Sequence, residues 1–564
     1  MTKIIAIFIF VCIGLVQLTA QNVVFFDANL KNVLVGDPSI NTNGDLEIQM
    51  TEAQSYSGLL NISGSGIENL KGIEAFTELN ILWCNNNNLS FLDLSQNVNL
   101  SHVNCQSNNI DSLVLPTGSN LKQLNASMNN FESLHISNAT GLTILNASGN
   151  TISSIDLTLN TELINVNLFG NALSIIDLSS NSLLKVLNVS SNQLSALDIS
   201  QNSDMEVLIC DENQISNLNT ANAGVLESLS CISNMLSSVN LEDNTDLKIL
   251  KCSHNVLSSL DLSVNTKLTS VVCSNNLLTN LSFMNHYDLG GITCDHNSIT
   301  NIFTIGAPKL SYLNCSFNQL SNLSFSSNPA TETIICNDNN IDLLYASDAD
   351  SLVTLNCANN NMNTLNVEHC YKLEDINASN NNLETIGLTN KQLLTSVNLK
   401  ENKFVDLNFS NASELGYLNV SNNKLESLNI KNGENTALDE VAGEPNFLAK
   451  YNLNLFCIQV DQVTWATNNL TEIDQFASFS SNCATFGVNE LDDVEFSIFP
   501  NPTSGQLSFI TNKEMSHIYV RNNLGQLIET FSGSEINVSS YPKGTYYLEV
   551  QLQDQVIYRS FIKE

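Results

Sequence analysis

The 564-residue chain is strongly acidic but sparsely charged. It carries 56 Asp and Glu residues against 21 Lys and Arg residues, which gives a formal net charge of −35 at pH 7. This balance argues against nucleic acids and anionic membranes as partners. Because only 14% of the residues are charged, uncharged polar side chains must form most of the surface.

The chain opens with the layout of a secretory signal peptide. Lys3 precedes an apolar run, Ile4–Val16, and small residues lead up to Ala20. We predict that residues 1–20 are a signal peptide cleaved after Ala20; a lipid anchor at Cys12 is the alternative. The apolar run is too short to span a bilayer, and no later segment approaches about 18 continuous apolar residues. We therefore expect no transmembrane segment.

Residues 21–78 are predicted to form an N-terminal cap, because their apolar residues do not follow the register of the segment after them. Part of the cap resembles an EF-hand loop, with Leu46 where that loop has Gly. The sequence leaves two readings open, a plain capped turn or a calcium site. The oxygen ligands of such a site would be Asn41, Asn43, Asp45 and Glu52.

Residues 79–435 are seventeen consecutive copies of a 21-residue unit without insertion or deletion. Numbered from Leu79 as position 1, the units follow the pattern L-x-x-L-x-[C/V/A/L]-x-x-N-x-[L/I/F/M], continued by a second alternating segment. This resembles the leucine-rich repeat family, whose signature covers the first half of nearly every unit. The resemblance implies a solenoid that presents an extended binding surface.

The repeat predicts its own packing. Apolar side chains alternate with polar ones in two short segments of each unit, which indicates two parallel sheet-like faces and leaves no room for a regular helix. The fold class is therefore mainly β, a solenoid of 21-residue coils. Position 9 is Asn in all seventeen units. A carboxamide there can donate to one backbone group and accept from another, so we predict a buried, stacked column.

Ten cysteines occupy position 6 of the repeat. One reading is a metal ladder or a row of disulfides; the other is that Cys is a small apolar filler. The filler is favoured because Ala, Val and Leu take the same position in other units. In addition, equivalent Cβ atoms in stacked strands stand wider apart than disulfide geometry favours.

A ligand-binding patch is predicted at exposed positions 3, 5 and 7 of the central units. Position 5 is Asn in most flanking units but changes in the central ones. Exposed apolar groups rimmed by polar ones are typical of binding patches. Surface drift within a recently duplicated block is the alternative. The candidate residues are Ile209, Asp211, Ile232, Lys251, Val272, Tyr312 and Ile335.

Residues 436–486 are predicted to form a C-terminal cap. Within it, Cys457 and Cys483 flank a short segment of an exported chain, so we predict that they form a disulfide. Such a bridge contributes about 3 kcal/mol in the chain-entropy model.

From about Leu491 the repeats stop and short alternating strands with Pro- and Gly-containing turns appear. The motifs FPNPTSGQL, LGQL and YPKGTYY, with a basic tail, resemble the C-terminal sorting domain of the type IX secretion system of Bacteroidetes. The resemblance implies that residues 491–564 are a small β-sandwich that acts as an address. It also implies that the secretion machinery is a partner and that the protein is secreted or displayed on the cell surface.

No catalytic or metal-binding constellation is evident in the sequence. We therefore expect a non-enzymatic, extracellular or cell-surface protein that recognises a protein or glycan through its solenoid face and needs no cofactor. A structural surface protein without a specific ligand is the alternative.

Overall fold

The computed structural model describes residues 21–118, 120–325, 327–346, 349–439, 444–483, 496–511, 515–552 and 556–564. The predicted signal peptide, Cys12 and residues 484–495 lie outside these ranges. The chain forms two compact units, Met1–Leu268 and Thr269–Glu564. Neighbouring coils pair in parallel with a register of one repeat in each unit, as Val207 with Ser228 and Gly291 with Tyr312. The predicted mainly-β solenoid of 21-residue coils is confirmed.

In the first unit, two helices, Ala28–Val35 and Met50–Ser55, and a 3-10 turn, Ile73–Ala75, precede the coils. The parallel sheet of this unit is formed by Leu59–Asn61, Ile81–Trp83, His102–Asn104, Gln123–Asn125, Ile144–Asn146, Asn165–Asn167, Val186–Asn188, Val207–Ile209, Ser228–Ser230 and Ile249–Lys251. On the opposite face, short strands pair as Phe91–Asp93 with Ser112–Val114 and Ala196–Asp198 with Asn217–Asn219.

The second unit repeats this arrangement. Its first sheet contains Ser270–Val272, Gly291–Thr293, Tyr312–Asn314, Thr333–Ile335, Thr354–Asn356, Asp375–Asn377, Ser396–Asn398, Tyr417–Asn419 and Phe447–Leu448. The opposite face holds the paired strands Asn280–Ser282 and Asn301–Phe303, Asn322–Ser324 and Leu343–Tyr345, Thr364–Leu365 and Thr385–Ile386, and the run Asp406–Asn408, Ser427–Asn429, Cys457–Gln459 and Ser478–Ser480. The second face is an interrupted series of short strands in both units.

The asparagine column at position 9 forms as predicted. In a typical coil, the Asn192 amide donates to the carbonyl oxygens of Leu168 and Val189, both at 3.0 Å. Its Oδ1 accepts from the Leu173 N–H at 2.9 Å. One side chain thus satisfies three backbone groups where the chain turns between its two faces, and it ties each coil to the preceding one.

Position 8, next to this column, has a positive φ in all seventeen coils, from Asn86 to Asn422. Only two coils have Gly there, Gly149 and Gly170; the others include Met128 at φ 53° and Phe317 at φ 51°. A left-handed residue is therefore built into every coil, and residues with a Cβ bear a conformational cost there of roughly 1–2 kcal/mol. Glycine is the usual marker of such a turn and is mostly missing, but Asn, Asp or His occupies eight further coils at this position.

A second asparagine column, at position 19, leaves acceptors unused. The Asn160 amide donates to the carbonyls of Ile136 and Ala139 at 3.1 and 2.8 Å, while its buried Oδ1 has no hydrogen-bond partner. The equivalent Asn244 differs because the preceding coil carries Thr220, whose hydroxyl donates to Asn244 Oδ1 at 2.8 Å. A hydroxyl at position 16 therefore supplies a hydrogen-bond donor for the Asn at position 19 of the next coil, which an aliphatic residue cannot do.

This contrast predicts that Thr at position 16 stabilises the core at least as well as Val, the reverse of the usual order at a buried site. Ile136→Thr should be at least as stable as Ile136→Val, because the threonine hydroxyl can donate to the Asn160 acceptor. Burying an unpaired hydroxyl would instead make Thr worse than Val by about 1–3 kcal/mol. Thr220→Val should cost about 1–2 kcal/mol, because it leaves the Asn244 acceptor unpaired. Urea denaturation of the three variants measures this; Ile136→Thr less stable than Ile136→Val by more than about 1 kcal/mol would contradict it.

The C-terminal end of the second unit contains a cap and a separate antiparallel module. The cap includes the 3-10 turn Asn435–Leu438 and the helix Val463–Asn469. Two sheets form the module, one of Phe496–Phe499, Gln506–Thr511 and Glu535–Asn537, the other of Leu527–Phe531, Met515–Arg521, Gly544–Leu552 and Val556–Lys563. Side chains such as Ile518, Leu548 and Phe561 are fully buried in the module core.

In the cap, a disulfide joins Cys457 and Cys483, whose Cα atoms are 5.7 Å apart. The position-6 cysteines are buried thiols. The Cys105 thiol donates to the Asn125 carbonyl oxygen of the next coil at 3.4 Å. Burial raises the pKa of Cys105 to about 12, so this thiol stays protonated at neutral pH.

These thiols should therefore be inert in the folded protein. We expect no reaction with a thiol-specific reagent at pH 8 in the native state and complete reaction after denaturation, because only the thiolate is nucleophilic. Non-reducing peptide mapping should show Cys457 bridged to Cys483. A bridge between Cys231 and Cys252, or rapid native labelling of the position-6 thiols, would contradict the filler role.

Candidate binding face

Each first-sheet strand turns one side chain inward and its neighbours outward. In the strand Val207–Ile209, Leu208 is fully buried while Val207 and Ile209 are partly exposed. We call the outward side chains at repeat positions 3, 5 and 7 the strand face. This alternation follows from the two-residue period of an extended chain, and it makes the strand face the broad surface on which the sequence placed its candidates.

Four predicted ligand residues lie on the strand face of the first unit. Ile209, Ile232 and Lys251 come from three successive coils and are partly or fully exposed. Asp211 has a different role: its carboxylate accepts from the Ser230 hydroxyl at 2.7 Å and from the Ile232 N–H at 2.7 Å. These bonds link Asp211 to the next coil, and its side chain stays partly exposed on the strand face.

The other three candidates lie on the strand face of the second unit. Val272 and Ile335 are partly exposed, and the Tyr312 side chain is 37% exposed. Tyr312 and Ile335 stand on paired strands, whereas Val272 is two strands away from Tyr312. Ile335 also lines a shallow hollow of about 350 Å³ with Thr354, Asn356, Asp375, Asn377, Ser396, Asn398 and Tyr417.

The first unit contains a further hollow that the sequence interpretation did not single out. It measures about 420 Å³ and opens on the strand face of the first four coils. Its lining residues are Ile81, Trp83, His102, Val103, Asn104, Gln123, Leu124, Asn125, Ile144 and Asn146. We call it the Trp83 hollow. None of its lining side chains is acidic, and none is Lys or Arg.

Trp83 stands in a column of asparagines. The pairing of successive strands aligns Asn61, Trp83, Asn104, Asn125 and Asn146 at equivalent positions. Trp83 is 41% exposed, so much of a large aromatic surface is left to solvent on the strand face. The departure from Asn at position 5 is visible in the sequence, but Trp83 lies outside the central units that contain the predicted ligand patch.

Charge is distributed unevenly around the coil. On the strand face it is restricted to Asp211 and Lys251 in the first unit and to Asp295, Asp375 and Lys400 in the second. The second face of the first unit carries an exposed acidic column at position 15, which consists of Asp93, Asp156, Asp177, Asp198 and Asp261. The Ser179 N–H donates to Asp177 at 2.9 Å, and this backbone bond lowers the pKa of the Asp177 carboxyl. The strand face is therefore nearly neutral on a highly acidic protein.

The EF-hand-like segment of the cap is folded as a capped turn. Burial alone would raise the pKa of Glu52, but hydrogen bonds from Gln49, Thr42 and Asn43 lower it. These donors occupy both carboxylate oxygens, at 2.8 to 3.2 Å. The other proposed calcium ligands also accept backbone bonds. Asn41 Oδ1 accepts from the Gly44 N–H, Asn43 Oδ1 from the Asp45 N–H, and Asp45 Oδ1 from the Glu47 N–H. These oxygens are thus directed at protein N–H groups, as in a capped turn.

Within the described residues, no group of three or more His, Cys, Asp or Glu side chains is arranged to hold a metal ion. In the same part of the chain, no helix combines the length and the apolar character needed to cross a membrane.

The C-terminal module matches a known family. Residues 497–564 match the secretion system C-terminal sorting domain. The predicted address is thereby confirmed, and it directs this protein to the outer surface or the extracellular space. No curated protein matches the chain.

Among solved structures, the chain is similar to the functional domain of InlJ from Listeria monocytogenes, which includes a cysteine ladder, at 21% identity and a TM-score of 0.47 over 92% of both chains. It is also similar to YopM from Yersinia enterocolitica, at 23% identity and a TM-score of 0.47 over 62% of this chain and 83% of that one. A leucine-rich repeat protein from Leptospira interrogans matches at 17% identity and a TM-score of 0.43, over 67% of this chain and 92% of the other. None of these comparisons indicates a catalytic function.

Proposed function

We propose that this secreted leucine-rich repeat protein, addressed by its C-terminal sorting domain, is a non-enzymatic binding protein that recognises a macromolecule through the strand face. The observation that supports the proposal most strongly is the near absence of charge on that face in a chain of net charge −35. Desolvating an unpaired charge on binding is costly. A neutral face with scattered apolar groups therefore suits an interface better than the acidic second face of the first unit does.

The exposed apolar side chains of the strand face add to this argument. Ile249 and Tyr312 are each 37% exposed, and Trp83 is 41% exposed. Single exposed apolar residues are ordinary on proteins. Here, however, they share one surface with amide side chains, which is the mixture found in interfaces that bind polar macromolecules.

The predicted ligand residues belong to the same proposal and can be tested directly. One variant replaces Ile209 and Ile232 by Asn, and another replaces Val272, Tyr312 and Ile335 by Asn, the residue found at many strand-face positions. The purified full chain and both variants would be tested against immobilised extracellular proteins and soluble polysaccharides. We expect at least one probe to bind the full chain and one variant to lose it while the melting temperature stays within a few degrees, because these side chains point away from the core. Binding of no probe would favour the structural alternative.

A further inference from the structure

We propose that the Trp83 hollow binds a neutral, pyranose-type glycan. This inference rests on the proposed function, because it assigns a ligand class to one part of the strand face. It is carried by the composition of the hollow, which combines one exposed indole, two isoleucines and several carboxamides without a formal charge.

The indole supplies a flat apolar platform. Pyranose rings carry C–H groups on their faces and hydroxyl groups at their edges, so one face can pack on an aromatic ring while the edges remain polar. Trp83 projects from the same strand as Ile81, and Ile144 lines the hollow three strands away. With strands about 4.8 Å apart, the apolar groups span about 14 Å, enough for more than one ring to lie across the strands.

Carboxamides border this platform and can recognise hydroxyl groups. Asn104 Oδ1 accepts from the Gln106 N–H at 3.1 Å, and Asn146 Oδ1 accepts from the Ser148 N–H at 3.1 Å. These bonds orient the two amides so that Oδ1 faces the backbone. In the described part of the chain, the Nδ2 atoms of Asn104 and Asn146 make no protein hydrogen bond, so they remain available as donors to ligand oxygens.

Charge selects the class of glycan. The lining contains no Lys or Arg, and His102 is its one titratable side chain. A uronate or sulfate group would therefore lose its hydration without gaining a permanently cationic partner, and the net charge of −35 would repel it further. Neutral hexose polymers avoid both penalties. An extended uncharged polypeptide would share this neutrality, but its repeating backbone donors and acceptors are best met by an exposed strand edge, and the hollow offers a sheet face.

The two tryptophans of the chain permit a direct optical test. Trp465 lies in the cap helix Val463–Asn469 of the second unit, so Trp465→Phe makes Trp83 the single indole reporter. The full chain carrying Trp465→Phe would be titrated with laminarin, mannan and dextran as neutral probes, with alginate as the acidic probe and gelatin as the polypeptide probe. Affinity electrophoresis of the unmodified full chain in gels containing each polysaccharide would provide a second readout.

The matched variant is Trp83→Asn, because Asn occupies the equivalent position on both flanking strands and so preserves the coil. We expect at least one neutral polysaccharide to shift Trp83 fluorescence and retard the protein. Trp83→Asn should weaken that binding about thirtyfold or more, as expected for loss of an aromatic anchor, and Trp83→Phe should retain most of it. Alginate should not bind.

Three outcomes would overturn the inference. If neutral glycan binding survives Trp83→Asn, the glycan site lies elsewhere on the protein. If gelatin binds and no glycan does, the ligand is a polypeptide and not a glycan. The proposed binding function stands in both cases. If no protein or polysaccharide probe binds the full chain, both the inference and the proposed function fail.

Discussion

Asn192→Leu should be among the most destabilising single substitutions in the coils. The change leaves the Leu173 N–H and the carbonyl oxygens of Leu168 and Val189 without the side chain that satisfies them. Since Asn192 is only 8% exposed, water cannot easily replace it. We expect a loss of about 3 kcal/mol in the free energy of unfolding, measured by urea denaturation.

The matched control is Asn188→Leu in the same coil. Asn188 is partly exposed on the strand face and accepts one bond, from the Ser190 N–H at 3.0 Å. The next coil carries Ile209 at the equivalent position, so an aliphatic residue is tolerated there. This variant should lose less than about 1 kcal/mol. Equal losses for Asn188→Leu and Asn192→Leu would contradict the structural role of the position-9 column.

Deleting residues 497–564 should abolish delivery to the outside. These residues match the sorting domain family, and they have their own buried core, which includes Leu507, Val520 and Val550. Their removal therefore takes away an address and leaves the coils intact. We expect the truncated protein in the periplasm, with far-ultraviolet circular dichroism that still shows the coils. Fractionation and immunoblotting measure this; extracellular protein at the full-length level would contradict it.

The sequence was most informative where one physical demand recurs in every coil. The position-9 asparagines were predictable because a carboxamide is the one side chain type that serves a buried donor and acceptors together. The left-handed position 8 was only partly predictable. Gly, Asn, Asp or His, which adopt positive φ most readily, occupy ten of the seventeen positions, but Met128 and Phe317 do not follow this preference. At such residues the stacked coils on either side impose the local conformation.

The binding face shows the same limit. Asp211 was predicted to be part of a ligand patch, and nothing in the sequence indicated its bonds to Ser230 and Ile232 in the next coil. An Asn at position 5 accepts through its Oδ1 from the N–H two residues later in the chain, as Asn188 does from Ser190. Ile209 has no such acceptor. In that coil Asp211, at position 7, accepts from groups of the following coil instead. Hydrogen bonds of this kind depend on which side chains the neighbouring coils place alongside, and these contacts are not evident from the sequence. The departure of Trp83 from its asparagine column, by contrast, was present in the sequence.

Recognition through the strand face is tested most directly by comparing equal charge changes on the two faces. Asn146→Asp and Asn398→Asp each add one carboxylate to a hollow of the strand face, while keeping the oxygen that accepts from Ser148 N–H and Lys400 N–H. Asn240→Asp and Asn408→Asp add the same charge at position 15 of the second face, while keeping the oxygen that accepts from Glu242 N–H and Ser410 N–H. Equilibrium titration of each full-length variant with a probe bound by the unmodified protein should show binding weakened about tenfold or more by at least one strand-face change. The second-face changes should have little effect. Equal affinities for all four variants, or a loss confined to the second face, would contradict the account.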